Sequence, residues 1–160
     1  MTEDSEERLR GISRTHLVFV MAVSLSLALL FIWQFGKNHA TSADSTRTIE
    51  AGRGLYADHC ASCHGASLEG QPDWQSPLPS GRLPAPPHDA SGHTWHHSDE
   101  LLFRIVKEGT AAVVGGGYES DMPGFAVVLS DAEIRAVLAF IRSTWPERER
   151  RYQSEVSRRD

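Results

Sequence analysis

Residues 55–65 read LYADHCASCHG and hold the only two cysteines among the 160 residues of the chain. Cys60 and Cys63 stand three apart, and His64 follows the second at once. Three chemistries use such a set. A thiol pair at this spacing can cycle to a disulfide when a β-α-β surround presents it. Thiolates and imidazoles bind zinc when a second ligand pair stands at a defined distance. Cys-x-x-Cys-His is also the attachment sequence for a covalent haem. Positions i and i+3 share one face of a helical turn, so each cysteine can form a thioether to one vinyl group. His64 then falls beneath the iron as an axial ligand.

Two further sets carry donor atoms. The stretch HDASGHTWHH places His88, His93, His96 and His97 within ten residues. Imidazole suits zinc and copper, but no acidic or sulfur ligand stands beside these histidines at a clear spacing. More often, clustered histidines cap helices and meet solvent. Met122, in DMPGF, is the one methionine after Met21. A lone methionine is usually a gap-filler in a core or loop.

These residues must be held by helices. The first spans about residues 48–60, with Ile49, Gly52, Leu55 and Tyr56 along one stripe. The second starts after Ser98, an N-cap followed by Asp99 and Glu100, and stops at Gly109. The third opens on a capping box, Ser130 to Glu133. It carries Ile134, Val137, Leu138, Ile141 and Trp145 at helical spacing and ends at Pro146. There is no strand pattern and no internal repeat, so the β-α-β surround of a redox pair is missing. Residues 65–97 and 110–125 read as long loops. About a hundred residues with three helices and so much irregular chain cannot bury enough apolar surface alone. A large apolar group in the middle would supply what is lacking.

The average composition, 40% hydrophobic and 23% charged, hides one anomaly. Residues 17–35, LVFVMAVSLSLALLFIWQF, carry no formal charge. As a helix they extend about 28 Å, against a hydrocarbon core of about 30 Å. The run is longer than the apolar part of a signal peptide and follows a mixed-charge start, so it reads as an uncleaved anchor, although TSADS at 41–45 offers a weak cleavage site. Arg8, Arg10 and Arg14 precede it, which places residues 1–16 in the cytoplasm and everything after Phe35 outside. Residues 36–47, GKNHATSADSTR, read as a flexible linker, and 48–145 as the folded domain. The charged tail, 146–160, has almost nothing to bury and reads as frayed. Over residues 45–145 seven Lys+Arg face twelve Asp+Glu, which argues against nucleic acid as a partner.

GRGLYADHCASCHG, then DMPGF, then a helix closing AVLAFIRSTWP, resembles a class I, single-haem cytochrome c of a membrane-anchored bacterial type. The resemblance covers residues 48–145. It implies an all-α fold: a small helical domain wrapped around a covalent haem c, preceded by one transmembrane helix. It implies thioethers from Cys60 and Cys63 and axial iron ligands from His64 and Met122, the usual His/Met pattern. A proline carbonyl, Pro86 or its neighbour Pro87, would steady the His64 imidazole, although Pro77 and Pro79 stand closer in sequence. Trp95, with Trp74 behind it, would contact a haem propionate. The first and last helices would cross with Gly52 and Tyr56 facing Phe140. Mitochondrial-type members present a ring of lysines around the haem edge; here Lys107 is the one lysine of residues 48–145.

The expected role is transfer of single electrons between redox protein partners at a bacterial inner membrane. The protein would be no enzyme, its N-terminus cytoplasmic and its haem domain periplasmic. Two other readings stay open: a haem sensor or peroxidase with an open or weakly held sixth position, and a fixed haem subunit of a membrane oxidoreductase complex.

Overall fold

The computed structural model describes residues 14–160; residues 1–13, and the side chains of 14, 15, 17 and 32–43, lie outside the described residues. Among the described residues there are helices and turns but no strand. The chain divides into two compact units, Met1–Asp44 and Ser45–Asp160.

Helix α1, Arg14–His59, is continuous over 46 residues. The backbone is therefore helical through 36–47, where the sequence suggests a flexible linker. That stretch has one glycine and no proline, so its small polar residues lower helix propensity without breaking the helix. In the first unit, Val18, Phe19, Met21, Leu25 and Phe31 are each about two-thirds exposed (64–69%). No helix is long and apolar enough to cross a membrane among the described residues, and part of the expected 17–35 span lies outside them.

The second unit is built around the last turns of α1. Cys60 leaves helical geometry and the short helix α2, Ala61–His64, follows. A loop then runs to a 3-10 turn, Thr94–His96. Helix α3, Asp99–Glu108, starts where Ser98 Oγ accepts from the Leu101 N–H at 3.3 Å, and stops at Gly109 with φ of +90°. A five-residue helix, α4, Thr110–Val114, occupies part of the second expected loop. Helix α5, Asp131–Ser143, has the full Ser130–Glu133 capping box.

Helices α1 and α5 cross at Gly52, where there is no room for a side chain. A Cβ on Gly52 would lie 1.9 Å from the Ala136 carbonyl oxygen. One turn on, Tyr56 packs against Phe140 with ring centroids 5.5 Å apart. Around them Leu68, Leu102, Val137, Ile141 and Trp145 form one apolar cluster, and Phe103, Val106, Leu129 and Ile134 form a second. Leu55 and Leu138 touch both.

The tail is the main correction. Residues 147–157 form helix α6, Glu147–Ser157, within the second unit. What α6 buries is polar, so the composition concealed it. Gln153 is 0% exposed and Glu149 7%. The Gln153 amide donates to Asp99 Oδ1 at 2.7 Å and Ser157 Oγ at 2.9 Å, so α6 is tied to the start of α3. Tyr152 meets both Trp95 and His96 edge to face, centroids 5.4 Å apart in each pair.

Candidate functional site

Cys60 and Cys63 are both free thiols, Cys60 half-buried and Cys63 exposed. They sit on one turn, because the Cys63 and His64 N–H groups both donate to the Cys60 carbonyl, at 3.1 and 2.9 Å. Burial, reinforced by the neighbouring Cys63, pushes the Cys60 thiol up to about 11, so it is protonated near neutral pH.

His64 is 6% exposed. Burial lowers its pKa, opposed in part by a hydrogen bond to Pro86. The ring is therefore neutral near pH 7. Its Nδ1 lies 2.8 Å from the Pro86 carbonyl oxygen, so Nδ1 carries the proton and donates, and the lone pair sits on Nε2. Among the candidate prolines, the chain brings Pro86 to this position. Gly70 allows it: its N–H donates to the His64 carbonyl at 2.8 Å, and a Cβ there would lie 2.4 Å from Pro87 N.

The loop 65–97 is pinned throughout. The His88 N–H donates to the Leu68 carbonyl at 2.8 Å, and the Trp145 indole donates to the His88 carbonyl at 2.7 Å. Trp95 and Cys60 both pack against the first apolar cluster, and the Trp95 indole N–H is buried without a hydrogen-bond partner. Trp74 stacks on His93, centroids 5.2 Å apart. Among the described residues, no group of three or more His, Cys, Asp or Glu could hold a metal ion, so the four clustered histidines form no such site.

Met122 belongs to the second cluster, beside Phe103, Val106, Leu129 and Ile134. Its loop is clamped to the end of α3, where the Phe125 N–H donates to the Val106 carbonyl at 2.9 Å. A Cβ on Gly124 would lie 2.7 Å from the Glu108 carbonyl oxygen, so the approach requires glycine. Thr110 Oγ1 donates to the Met122 sulfur at 3.4 Å. Arg82 reaches from the first loop to Asp121 and Glu119, the acids just before Met122. Sequence reasoning missed Thr110, Arg82 and Tyr152; each acts through a partner more than ten positions away, which no local pattern marks.

These residues fit a covalent haem. Two free thiols on one turn match two vinyl groups. A neutral imidazole keeps Nε2 open for iron, and the orphaned Trp95 N–H is a buried donor suited to a carboxylate. An all-α domain with such a site defines a covalent-haem protein. The sequence model of the cytochrome c family matches residues 49–145, well over half of the chain, and the chain belongs to that family. It is thus a haem c protein of electron transfer. No curated protein and no solved structure matches it significantly.

Proposed function

We propose that this protein is a membrane-anchored carrier of single electrons whose haem iron is held by His64 and Met122. One observation carries the ligation: the buried imidazole of His64 is locked at Nδ1 by the Pro86 carbonyl, which leaves Nε2 as its only free donor. Met122 is supported by its clamped loop and by Thr110, which fixes the sulfur from one side. When bound, the haem supplies a one-electron ferric/ferrous couple, and a thioether ligand favours the ferrous state. The chain does the rest. Cys60 and Cys63 fix the group covalently, Trp95 offers a donor for a propionate, and Leu55 and Leu138 with the two clusters exclude water. With His64 and Met122 both holding the iron there would be no place for substrate, so the role would be transfer without bond-making.

The anchor reading rests on the uncharged run 17–35 and the arginines before it. It places the protein in a bacterial inner membrane, with the haem domain in the periplasm. Tethering raises the effective concentration of the domain toward membrane-bound redox partners.

The test is the ferric absorption spectrum of the full-length holoprotein in detergent. A weak far-red charge-transfer band of sulfur ligation is expected, and Met122→Ala should abolish it. A five-coordinate spectrum, or a band unmoved by the substitution, would sink the assignment and favour ligand or peroxide chemistry.

A further inference from the structure

His88 stacks on His64, ring centroids 4.0 Å apart and planes 23° from parallel. Nothing in the electron-transfer reading requires a second imidazole there. His88 is nonetheless held at three points, its Nδ1, its N–H and its carbonyl. Its Nδ1 lies 2.8 Å from Thr94 Oγ1. That hydroxyl points to the Pro87 carbonyl at 3.4 Å, so His88 Nδ1–H is the donor and Thr94 the acceptor. Its own N–H donates to Leu68 and its carbonyl accepts from Trp145. Its ring edge meets Tyr56, centroids 6.4 Å apart and planes 72° apart. Tyr56 in turn donates to the Gly65 carbonyl at 2.8 Å, beside His64. His88 is thus a flat, fixed wall.

We propose that His88 is a positioning residue that sets the plane of the axial His64 imidazole. The inference rests on His64 being an iron ligand. The terminal torsion of histidine is broad, with no sharp minimum to hold the ring. A hydrogen bond through Nδ1 fixes where one edge points and restrains the plane loosely. A second ring packed on one face restrains the plane itself, because any rotation drives the two rings together. The direction of that plane decides how the imidazole π system overlaps the iron d orbitals. It would therefore contribute, together with the second ligand, to the magnetic anisotropy of the ferric state, while leaving the bond to iron and the fold in place.

The experiment uses full-length holoprotein. His64→Ala must first change the low-spin spectrum; a spectrum it leaves unmoved overturns the ligation and this inference with it. In the ferrous parent, nuclear Overhauser contacts between the His64 and His88 ring protons are expected, and their absence overturns the stacking. This measurement needs no variant to fold. Ferric electron paramagnetic resonance and haem-methyl NMR shifts then read the plane. His88→Leu should shift the largest g value, broaden it, and respace the methyl shifts. His88→Phe, which keeps a flat ring, should stay near the parent. Parent-like spectra from His88→Leu on a His64-ligated haem overturn the inference alone, as does a His88→Phe spectrum that matches the leucine variant.

Discussion

The carbonyl oxygen of Pro86 stands 2.8 Å from His64 Nδ1, across 22 residues of chain. The Cys-x-x-Cys-His turn and the proline-rich loop are thereby one device. The turn delivers the imidazole and the loop decides which of its nitrogens is free. A backbone acceptor held by a proline ring with fixed φ is less able to drift than a side-chain acceptor.

If Met122 holds the iron as proposed, Thr110 gives a handle on its sulfur. A hydroxyl donating to a thioether sulfur weakens it as a donor to ferric iron. Thr110→Val should therefore lower the reduction potential by about 20–60 mV, the equivalent of one hydrogen bond in a one-electron couple. A redox titration that gave an unchanged or higher potential would remove Met122 from the iron or Thr110 from Met122.

Two glycines on one helix should respond oppositely to the same substitution. A Cβ on Gly52 meets Ala136 backbone, so Gly52→Ala must push α1 and α5 apart at a cost of about 1–3 kcal/mol. Gly54 is exposed with nothing within 4 Å of its Cβ position, so Gly54→Ala should stabilise by about 0.5–1 kcal/mol. Denaturant unfolding of the two holoprotein variants checks both signs, and equal effects would contradict the crossing.

The tail helix should be part of the folded unit. Gln153→Ala removes the amide that bridges Asp99 and Ser157 and leaves a void, for a loss of about 2 kcal/mol. Thermal unfolding should register it. A variant as stable as the parent would mean that α6 contributes nothing to the domain.

The capping box predicts an acid-dependent contribution. Hydrogen bonds from the Ser130 backbone and hydroxyl hold the Glu133 carboxyl below its ordinary value of 4.5. A depressed carboxylate stabilises the fold above its unfolded pKa and loses that effect as pH falls through the folded one. The gap in melting temperature between parent and Glu133→Ala should be full near neutral pH and shrink below 4.5. A gap that stayed constant with pH would show that the charge-assisted bonds are not its source.

How much of this could be read from the sequence differs residue by residue. Cys60, Cys63 and His64 announce themselves because their chemistry needs adjacency along the chain. Ser98, Ser130 and Glu133 do so because caps are local. Pro86 could not be separated from its neighbours. The choice depends on how the loop turns at Gly70, a close approach that spacing does not encode. Helix α6 was hidden because the Gln153 amide N–H finds its acceptor in Asp99, 54 positions away. Residues 36–47 show the converse: small polar residues without proline favour a loop by composition but do not forbid a helical backbone.

Lys107, on the last turn of α3, is the one lysine of residues 48–145, and its ammonium sits 2.7 Å from Asp131 Oδ1, over the face of Phe103. The haem domain therefore has almost no amine chemistry of its own. Within the domain, reagents that seek lysines will find a single, ion-paired position, Lys37 being the other lysine of the chain. Apart from Lys107, zero-length coupling to a partner has to start from the domain's carboxylates, with the amine supplied by the other protein.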